Sequence, residues 1–341
     1  MVGAVTAIIP TYNRRELVTQ SVRSVLGQTY EQIRCLVVDN GSSDGTAEAL
    51  GTIGDKRLRV LIEDQPLGAA GARNVGIAAT ETPWIAFLDN DDLWAPTKVQ
   101  AQMDALAAHP GAAWSTTGSA HVGETLEVLP GGRLFPEHPR GGNGSADLLV
   151  PSDELLDLLK RDNALPGGGS SVLVSRELLN AAGGFHTDVP GCEDWDLWVR
   201  LAKLSPLVYL DRPLAAWRMW GGQGSTDVGM MLSSASQVRS SYFPELGGLD
   251  REYVARWWQR AARRLVLAGD RSGSSRCFVN AARAGRAPGQ LFYAVGALLT
   301  PYLVKRRLDA LESSVRPGPD WRLFADRWLA PWRDELVRSD H

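Results

Sequence analysis

Val5-Thr6-Ala7-Ile8-Ile9-Pro10 and Trp84-Ile85-Ala86-Phe87-Leu88-Asp89-Asn90-Asp91-Asp92 are two short apolar runs, the first ending on a breaker and the second on a cluster of acids. Short apolar runs bounded by turn signals read as strands buried on both faces. The same alternation fills the sequence between them. Residues 14–26 place Leu17, Val18, Val22, Val25 and Leu26 on one helical face, and Ile33 to Val38 is a second strand. Asn40-Gly41-Ser42-Ser43-Asp44-Gly45 is turn chemistry, in which Ser43 or Asp44 can cap a helix running to Leu50. Arg57 to Ile62 is a third strand and Ala69 to Ala79 a third helix. This βαβαβαβ order predicts an α/β fold with a mostly parallel, Rossmann-like sheet, right-handed crossovers and helices on both faces. Such sheets bind ligands at the carboxyl ends of their strands. Pro10, Asp39 and Asp89 each stand at such an end, so three loops converge on one rim.

Farther along, residues 130–169 are richer in Gly and Pro and read as a long connection with one short helix at 153–160. Ser170 to Val174 reads as a strand, Glu193 to Leu204 as a helix, and Leu207 to Leu210 and Leu214 to Met219 as two more strands. From residue 231 the pattern is helical, with Arg251–Ala268 and Ser275–Ala284 forming a hairpin broken at Gly269-Asp270. The expected division is an α/β domain over 1–230 and a helical, basic region over 231–341. Charge supports it: residues 251–341 carry 17 Lys/Arg against 9 Asp/Glu, whereas the first 250 carry 19 against 30. A basic module suits an anionic surface, and equally a set of solvated helix faces.

Composition excludes several classes. With 44% apolar and 22% charged residues, the 341-residue chain has the make-up of a globular protein. Cys35, Cys192 and Cys277 have no paired or metal-type spacing, which fits a reducing compartment. Met1 to Pro10 lacks the pattern of a secretory signal, so a cytoplasmic protein is expected. Leu291 to Val304 is an apolar run of 14 residues followed by Lys305-Arg306-Arg307. It is shorter than the roughly 20 residues that span a bilayer, and it reads either as peripheral contact with the inner membrane face or as a packed helix. Trp321, Phe324, Trp328 and Trp332 fall near helical spacing and pose the same choice. Apart from the basic tail, nothing points to nucleic acid.

The acids carry the chemistry. Asp89 and Asp91, at i and i+2 on a turn leaving a buried strand, form a hard-oxygen pair suited to Mg2+ or Mn2+, and the bland alternative is a turn shaped by Asp92 before a helix at Pro96. Asp39 can accept hydrogen bonds from a ribose or a base edge. Gly68-Ala69-Ala70-Gly71-Ala72-Arg73-Asn74 opens a helix with small residues, where backbone amides and Arg73 can meet a phosphate. Cys192-Glu193-Asp194-Trp195-Asp196-Leu197-Trp198 opens another helix on two acids, one of which can take a proton from a hydroxyl.

Together these motifs resemble the family 2 glycosyltransferases of the GT-A fold, in the order that family uses, from Val5 to about Ser225. Ile9-Pro10-Thr11-Tyr12-Asn13-Arg14 is similar to its opening nucleotide-binding motif, Val38-Asp39-Asn40-Gly41-Ser42-Ser43-Asp44-Gly45-Thr46 to its second, and Ala72-Arg73-Asn74 to its third. Asp89-Asn90-Asp91 matches its Asp-x-Asp triplet, and Glu193-Asp194 its acidic pair. The resemblance implies an inverting transfer of a sugar from a nucleoside-diphosphate sugar to an acceptor hydroxyl, in cell-surface glycan or secondary-metabolite glycoside assembly. Asp194 would be the base, and Asp91 with Asp89 would hold the metal. Pro10, Thr11, Tyr12, Arg14, Asp39, Arg73, Asp89 and Asn90 would bind the nucleotide sugar, and Glu193 and Trp195 would face the acceptor. UDP is the default donor nucleotide, with dTDP and GDP as alternatives. The acceptor is a glycan, a lipid-linked sugar or a small-molecule alcohol. One departure stands out: Trp217-Arg218-Met219-Trp220 puts Trp220 where the family often has a histidine. A nucleotidyltransferase would need a Gly-rich, Arg-bearing loop after the first strand, where this chain has Pro10-Thr11-Tyr12-Asn13. A nucleotide-sugar-binding scaffold without catalysis is the alternative, and the intact Asp91 and Asp194 argue against it.

Overall fold

The computed structural model describes residues 3–129, 147–219, 227–267, 269–313 and 319–339. Its first part is the expected parallel unit: β1 (Val5–Thr11), α1 (Arg15–Leu26), β2 (Ile33–Asp39), α2 (Thr46–Gly51), β3 (Leu58–Ile62), α3 (Gly68–Ala78) and β4 (Trp84–Phe87). The strands lie in the order β3-β2-β1-β4, all parallel. All seven residues of β1 are buried, as a central strand covered on both faces must be. Pro10 does not stop β1, because Leu88 N donates to Ile8 O at 3.1 Å and the pairing with β4 ends there. Pro10 falls one step beyond, where a ladder donor is not needed. Asp44, not Ser43, organises the next turn: its Oδ1 accepts from Thr46 N and its Oδ2 from Arg15 N, both at 3.1 Å, so one carboxylate serves two helix starts.

The rest of the sheet runs in both directions. It is built from β5 (Leu93–Trp94), α4 (Lys98–Ala108), β6 (Trp114–Val122), β7 (Leu148–Val150), α5 (Ser152–Arg161), a single tight turn at Gly168–Ser171, β8 (Leu173–Ser175), α6 (Arg176–Ala181), α7 (Glu193–Ala202) and β9 (Leu207–Arg218). The full order is β3-β2-β1-β4-β8-β6-β9-β5, with β7 also on β9. The pairs β4·β8, β6·β8, β5·β9 and β7·β9 are antiparallel, so the nine-stranded sheet is mixed. Two differences from the sequence reading have clear causes. Strand β6 has no apolar run to announce it; its Ser and Thr side chains are buried because they find partners, such as Thr116 Oγ1 with Ser171 Oγ at 2.7 Å and Ser115 Oγ with Gln102 Nε2 at 3.1 Å. The two strands expected around Pro213 are one, β9, whose register against β6 shifts at Gly118 to absorb Asp211-Arg212 as a bulge.

Among the described residues six helices follow: α8 (Val228–Tyr242), α9 (Arg251–Leu267), α10 (Arg271–Gly285), α11 (Gln290–Leu299), α12 (Pro301–Ser313) and α13 (Pro319–Ser339). The α9–α10 hairpin forms as read, capped by Asp270, whose Oδ1 accepts from Gly273 N at 2.8 Å. The largest hydrophobic cluster continues from Trp114, Trp195 and Trp198 into Tyr253, Trp257, Ala261 and Phe278, so α9 and α10 share a core with the acid-bearing helix α7. Helix α13 returns to the sheet, with Ala325 and Leu329 buried against Leu93, Ala120, Val122 and Ala216. Trp321, Trp328 and Trp332 pack there, and Trp328 Nε1 donates to Pro213 O at 3.1 Å, so these indoles cover protein. The run Leu291–Val304 is two helices, broken between Leu299 and Pro301. Among the described residues no helix is long and apolar enough to cross a membrane.

Candidate active site

The three rim loops are stapled to one another. Asn13 adopts a positive φ of 49°, its N–H donates to Ser42 Oγ and its Oδ1 accepts from Ser43 N, each at 2.8 Å. The buried Asp39 carboxylate accepts from Ser42 N at 3.0 Å, and Asn40 Oδ1 accepts from Leu67 N at the head of α3 at 2.7 Å. Asn90 Nδ2 reaches Thr11 Oγ1 at 3.3 Å. Pro10 and Thr11 are buried, Arg14 is half-buried, and the Tyr12 ring is 49% exposed above them. The structure thus gathers Pro10, Thr11, Tyr12, Arg14, Asp39 and Asn90 around one mouth.

The acids behind that mouth have distinct environments. Asp92 is fully buried; it accepts from Ser170 Oγ at 2.5 Å and from Arg218 N at 2.9 Å. Burial, then the neighbouring charges of Asp91 and Asp89, hold its carboxyl well above the usual range. Asp92 ties β4, β8 and β9 together beneath the site. Asp89 pairs with Arg73 Nη2 at 2.6 Å, and Arg73 Nη1 pairs with Glu193 at 2.9 Å. Burial works against the Arg73 charge, but Asp89 and Glu193 outweigh it and hold the guanidinium above its ordinary range. Arg73 is only 5% exposed and both Nη atoms are engaged by acids, so it braces the site and is not aimed at a phosphate. Glu193 is buried and braced likewise, rather than open to an acceptor; its Oε2 has no hydrogen-bond partner among the described residues. Asp91 is half-buried, and its backbone carbonyl accepts from Arg218 Nε at 2.9 Å.

Asp194 stands across the Gly167-Gly168-Gly169-Ser170 turn from these acids. Its Oδ2 accepts from Asn163 Nδ2 at 3.0 Å and its Oδ1 from Trp195 N at 2.7 Å. Burial, and then the charge of Glu193, raise its carboxyl to about 6, with Asn163 and Arg73 opposing. Gly168 has φ +53°, and a Cβ there would lie 3.1 Å from Asp194 Oδ2. Ser170 Oγ also accepts from Asp89 N at 3.0 Å, so one turn spaces the base from the acid triplet. Trp195 does not face an acceptor: its side chain is fully buried, its Nε1 donates to Leu159 O at 3.0 Å, and its ring stacks on Tyr253 at 6.5 Å. Trp220 lies outside the described residues, as does part of the 130–169 connection. Asn163 and the glycine turn went unread in the sequence; the signal available was Pro166-Gly167-Gly168-Gly169-Ser170, a run too glycine-rich for a mere spacer.

Among the described residues no group of three or more His, Cys, Asp and Glu forms a metal cage. The donor set instead fits a Mg2+- or Mn2+-type ion held by one or two carboxylates plus phosphate oxygens. Asp91 is half-exposed, and the Asp89 carboxylate is partly open with 35% of its side chain accessible.

Comparison with known proteins bears on the family and the fold. The model of the glycosyl transferase family 2 matches residues 6–165. The chain carries a family 2 glycosyltransferase domain. An uncharacterised glycosyltransferase of Rickettsia conorii is 25% identical over 249 residues, covering 71% of this chain and 38% of the relative. WfgD of Escherichia coli, a UDP-Glc:alpha-D-GlcNAc-diphosphoundecaprenol beta-1,3-glucosyltransferase, is 39% identical over 99 residues, 29% of this chain and 39% of its own length. The chain thus spans about two-fifths of the length of these relatives. Among solved structures, S. aureus TarS 1–349 superposes with a TM-score of 0.53 at 16% identity, over 99% of this chain and 92% of TarS 1–349. The family 2 domain therefore has the GT-A fold, followed by C-terminal helices.

Proposed function

We propose that this chain transfers a sugar from a nucleoside-diphosphate sugar to an acceptor hydroxyl by one inverting displacement, in the assembly of a cell-surface glycan. The observation that carries the reading is Asp194. A carboxylate held at about 6 by burial is ionised near neutral pH yet basic enough to take a hydroxyl proton as attack proceeds. Asn163 and Trp195 N fix its orientation. Arg73 holds Asp89 and Glu193 in place, and Asp91, with Asp89, would hold a Mg2+ or Mn2+ ion. Such an ion, when bound, neutralises charge on the departing diphosphate. Tyr12, Thr11 and Asp39 would bound the nucleoside pocket. The name of WfgD supports UDP as the donor nucleotide and a lipid-linked sugar as the acceptor class. Buried free Cys35, Cys192 and Cys277 support a reducing, cytoplasmic setting. The domain division at 230/231 remains our reading of the charge and helix pattern.

Thermal-shift titration with UDP, dTDP and GDP, with and without Mn2+, tests the donor site, because a ligand that binds only the folded state stabilises it by mass action. A metal-dependent shift with UDP, lost in Asp91→Ala, is expected. Asp194→Asn should keep that shift while losing release of UDP from the donor. No shift with any nucleotide would sink the reading.

A further inference from the structure

Helices α11 and α12 form a hairpin whose apolar surface is inverted. Inside lie small residues: Ala294 and Ala297 are buried, and a Cβ on Gly296 would come within 2.6 Å of Val304 Cγ2, so glycine there lets the helices close. Outside lie large ones. Phe292 is 84% exposed, Leu299 74% and Tyr302 72%, with Leu291, Val295, Leu298 and Leu303 also exposed. In α11 these residues fall on one helical stripe. A folded core does the reverse, hiding large side chains and leaving small ones out. Seven of the sixteen large exposed apolar side chains of the described structure fall within this one segment, where a soluble surface would scatter them.

The charge around the hairpin leans basic, although α12 also carries Asp309 and Glu312. From Arg271 to Leu308 there are seven Lys/Arg and no Asp or Glu. Arg306 and Arg307 are exposed in the middle of α12, and the Arg307 guanidinium lies 5.9 Å from the Tyr293 ring centroid, bringing this basic turn beside α11. An exposed apolar stripe rimmed mainly by cations matches the interface of an anionic bilayer, where large apolar side chains enter the acyl boundary and cations meet headgroups. A second copy of the chain would bring the same cations against themselves.

We propose that the α11–α12 hairpin docks this protein on the surface of an anionic phospholipid bilayer, lying in the interface without crossing it. The placement matters for the site. Helix α10 packs on both α9 and α11. Helix α9 stacks Tyr253 on Trp195 and pairs Arg260 with Asp162 at 2.6 Å, directly beside Asn163 and Asp194. Docking therefore connects the lipid surface to the base side of the site through packed helices, as an acceptor carried on a lipid would require. This last step rests on the proposed transferase reading, whereas the docking does not.

Co-sedimentation of the full chain with vesicles tests it directly, with no turnover required. We expect binding to phosphatidylglycerol–phosphatidylcholine vesicles, weakened by salt, and little to pure phosphatidylcholine. Lys305→Ala with Arg306→Ala should weaken partitioning roughly thirty-fold, from about 1 kcal/mol per charge at about 1.4 kcal/mol per decade. Phe292→Ser with Leu299→Ser should reduce it by at least about tenfold, these exposed positions leaving the fold and the UDP-induced thermal shift unchanged. Failure of the wild type to pellet with anionic vesicles overturns the proposal, and so does a dimer in solution that the Phe292/Leu299 variant abolishes. Loss of the nucleotide shift in the wild type would count against the transferase reading alone.

Discussion

Asn163→Ala should turn the base into a pH-dependent defect. Asn163 Nδ2 donates to Asp194 Oδ2 at 3.0 Å and is among the groups that lower this carboxyl against the upward push of burial. A hydrogen bond to an ionised group contributes about 1.5–3 kcal/mol, and the retained bond from Trp195 N together with entering water offsets part of its loss. A remaining effect of about 1.4 kcal/mol is about one pKa unit, which moves the carboxyl from about 6 to about 7. The ionised fraction at about pH 6 then falls from about a half to about a tenth, while at about pH 8 it stays near unity. Turnover should drop about fivefold at the lower pH, about twofold near neutrality, and hardly at all at the higher. UDP release from the donor sugar, with water as acceptor, measures this across the range without knowledge of the natural acceptor. A loss of equal size at every pH would make Asn163 a packing residue, and an unshifted profile would detach it from the base altogether.

Arg73→Met should destabilise the fold by about 3–5 kcal/mol, because it leaves Asp89 and the buried Glu193 carboxylate without their cation; urea midpoints would show it. A loss below about 1 kcal/mol, with nucleotide binding abolished, would instead place Arg73 on a phosphate. Gly168→Ala forces a residue with a Cβ into φ +53°, at about 1–2 kcal/mol, and presses that Cβ toward Asp194 Oδ2. Donor turnover should fall at least about tenfold with the UDP thermal shift intact, since about 1.4 kcal/mol in the barrier is one decade; normal turnover would show that the turn does not space the base.

The parallel half of the sheet was legible because its strands are continuous apolar runs, such as Val5 to Ile9 and Trp84 to Leu88, that need no knowledge of their partners. Strand β6 was not, since Trp114-Ser115-Thr116-Thr117 becomes core only when Gln102 and Ser171 are there to receive the hydroxyls. The same limit divides the site. Asp39, Asp89, Asp91 and Asp194 stand at strand ends and a helix start, where local sequence marks them. Arg73 looked like a phosphate ligand because its sequence neighbourhood is a helix start; its real partners lie 16 and 120 residues away. Asn163 and Gly168 act only through a side chain on another element, and composition showed nothing but a loop.

The distribution of charge in the site bears directly on the proposed metal. Asp89 and Glu193 share the single cation of Arg73, which leaves that cluster negative by one. Asp91 sits beside the buried Arg218, whose Nε donates to its backbone carbonyl at 2.9 Å, and Asp194 adds a further negative charge once it ionises above about 6. Unit charges about 4 Å apart interact by about 4 kcal/mol at the effective dielectric of a protein surface, so a diphosphate entering this rim alone meets repulsion from several carboxylates. Arg73 cannot relieve it without abandoning Asp89 and Glu193 at the expense of their burial. A divalent ion held by Asp91 would neutralise part of this negative charge, and we expect the UDP-induced thermal shift to be small without Mn2+ and large with it. A full shift in the presence of a chelator would mean that the diphosphate sits away from Asp91, and that the acid triplet serves the fold alone.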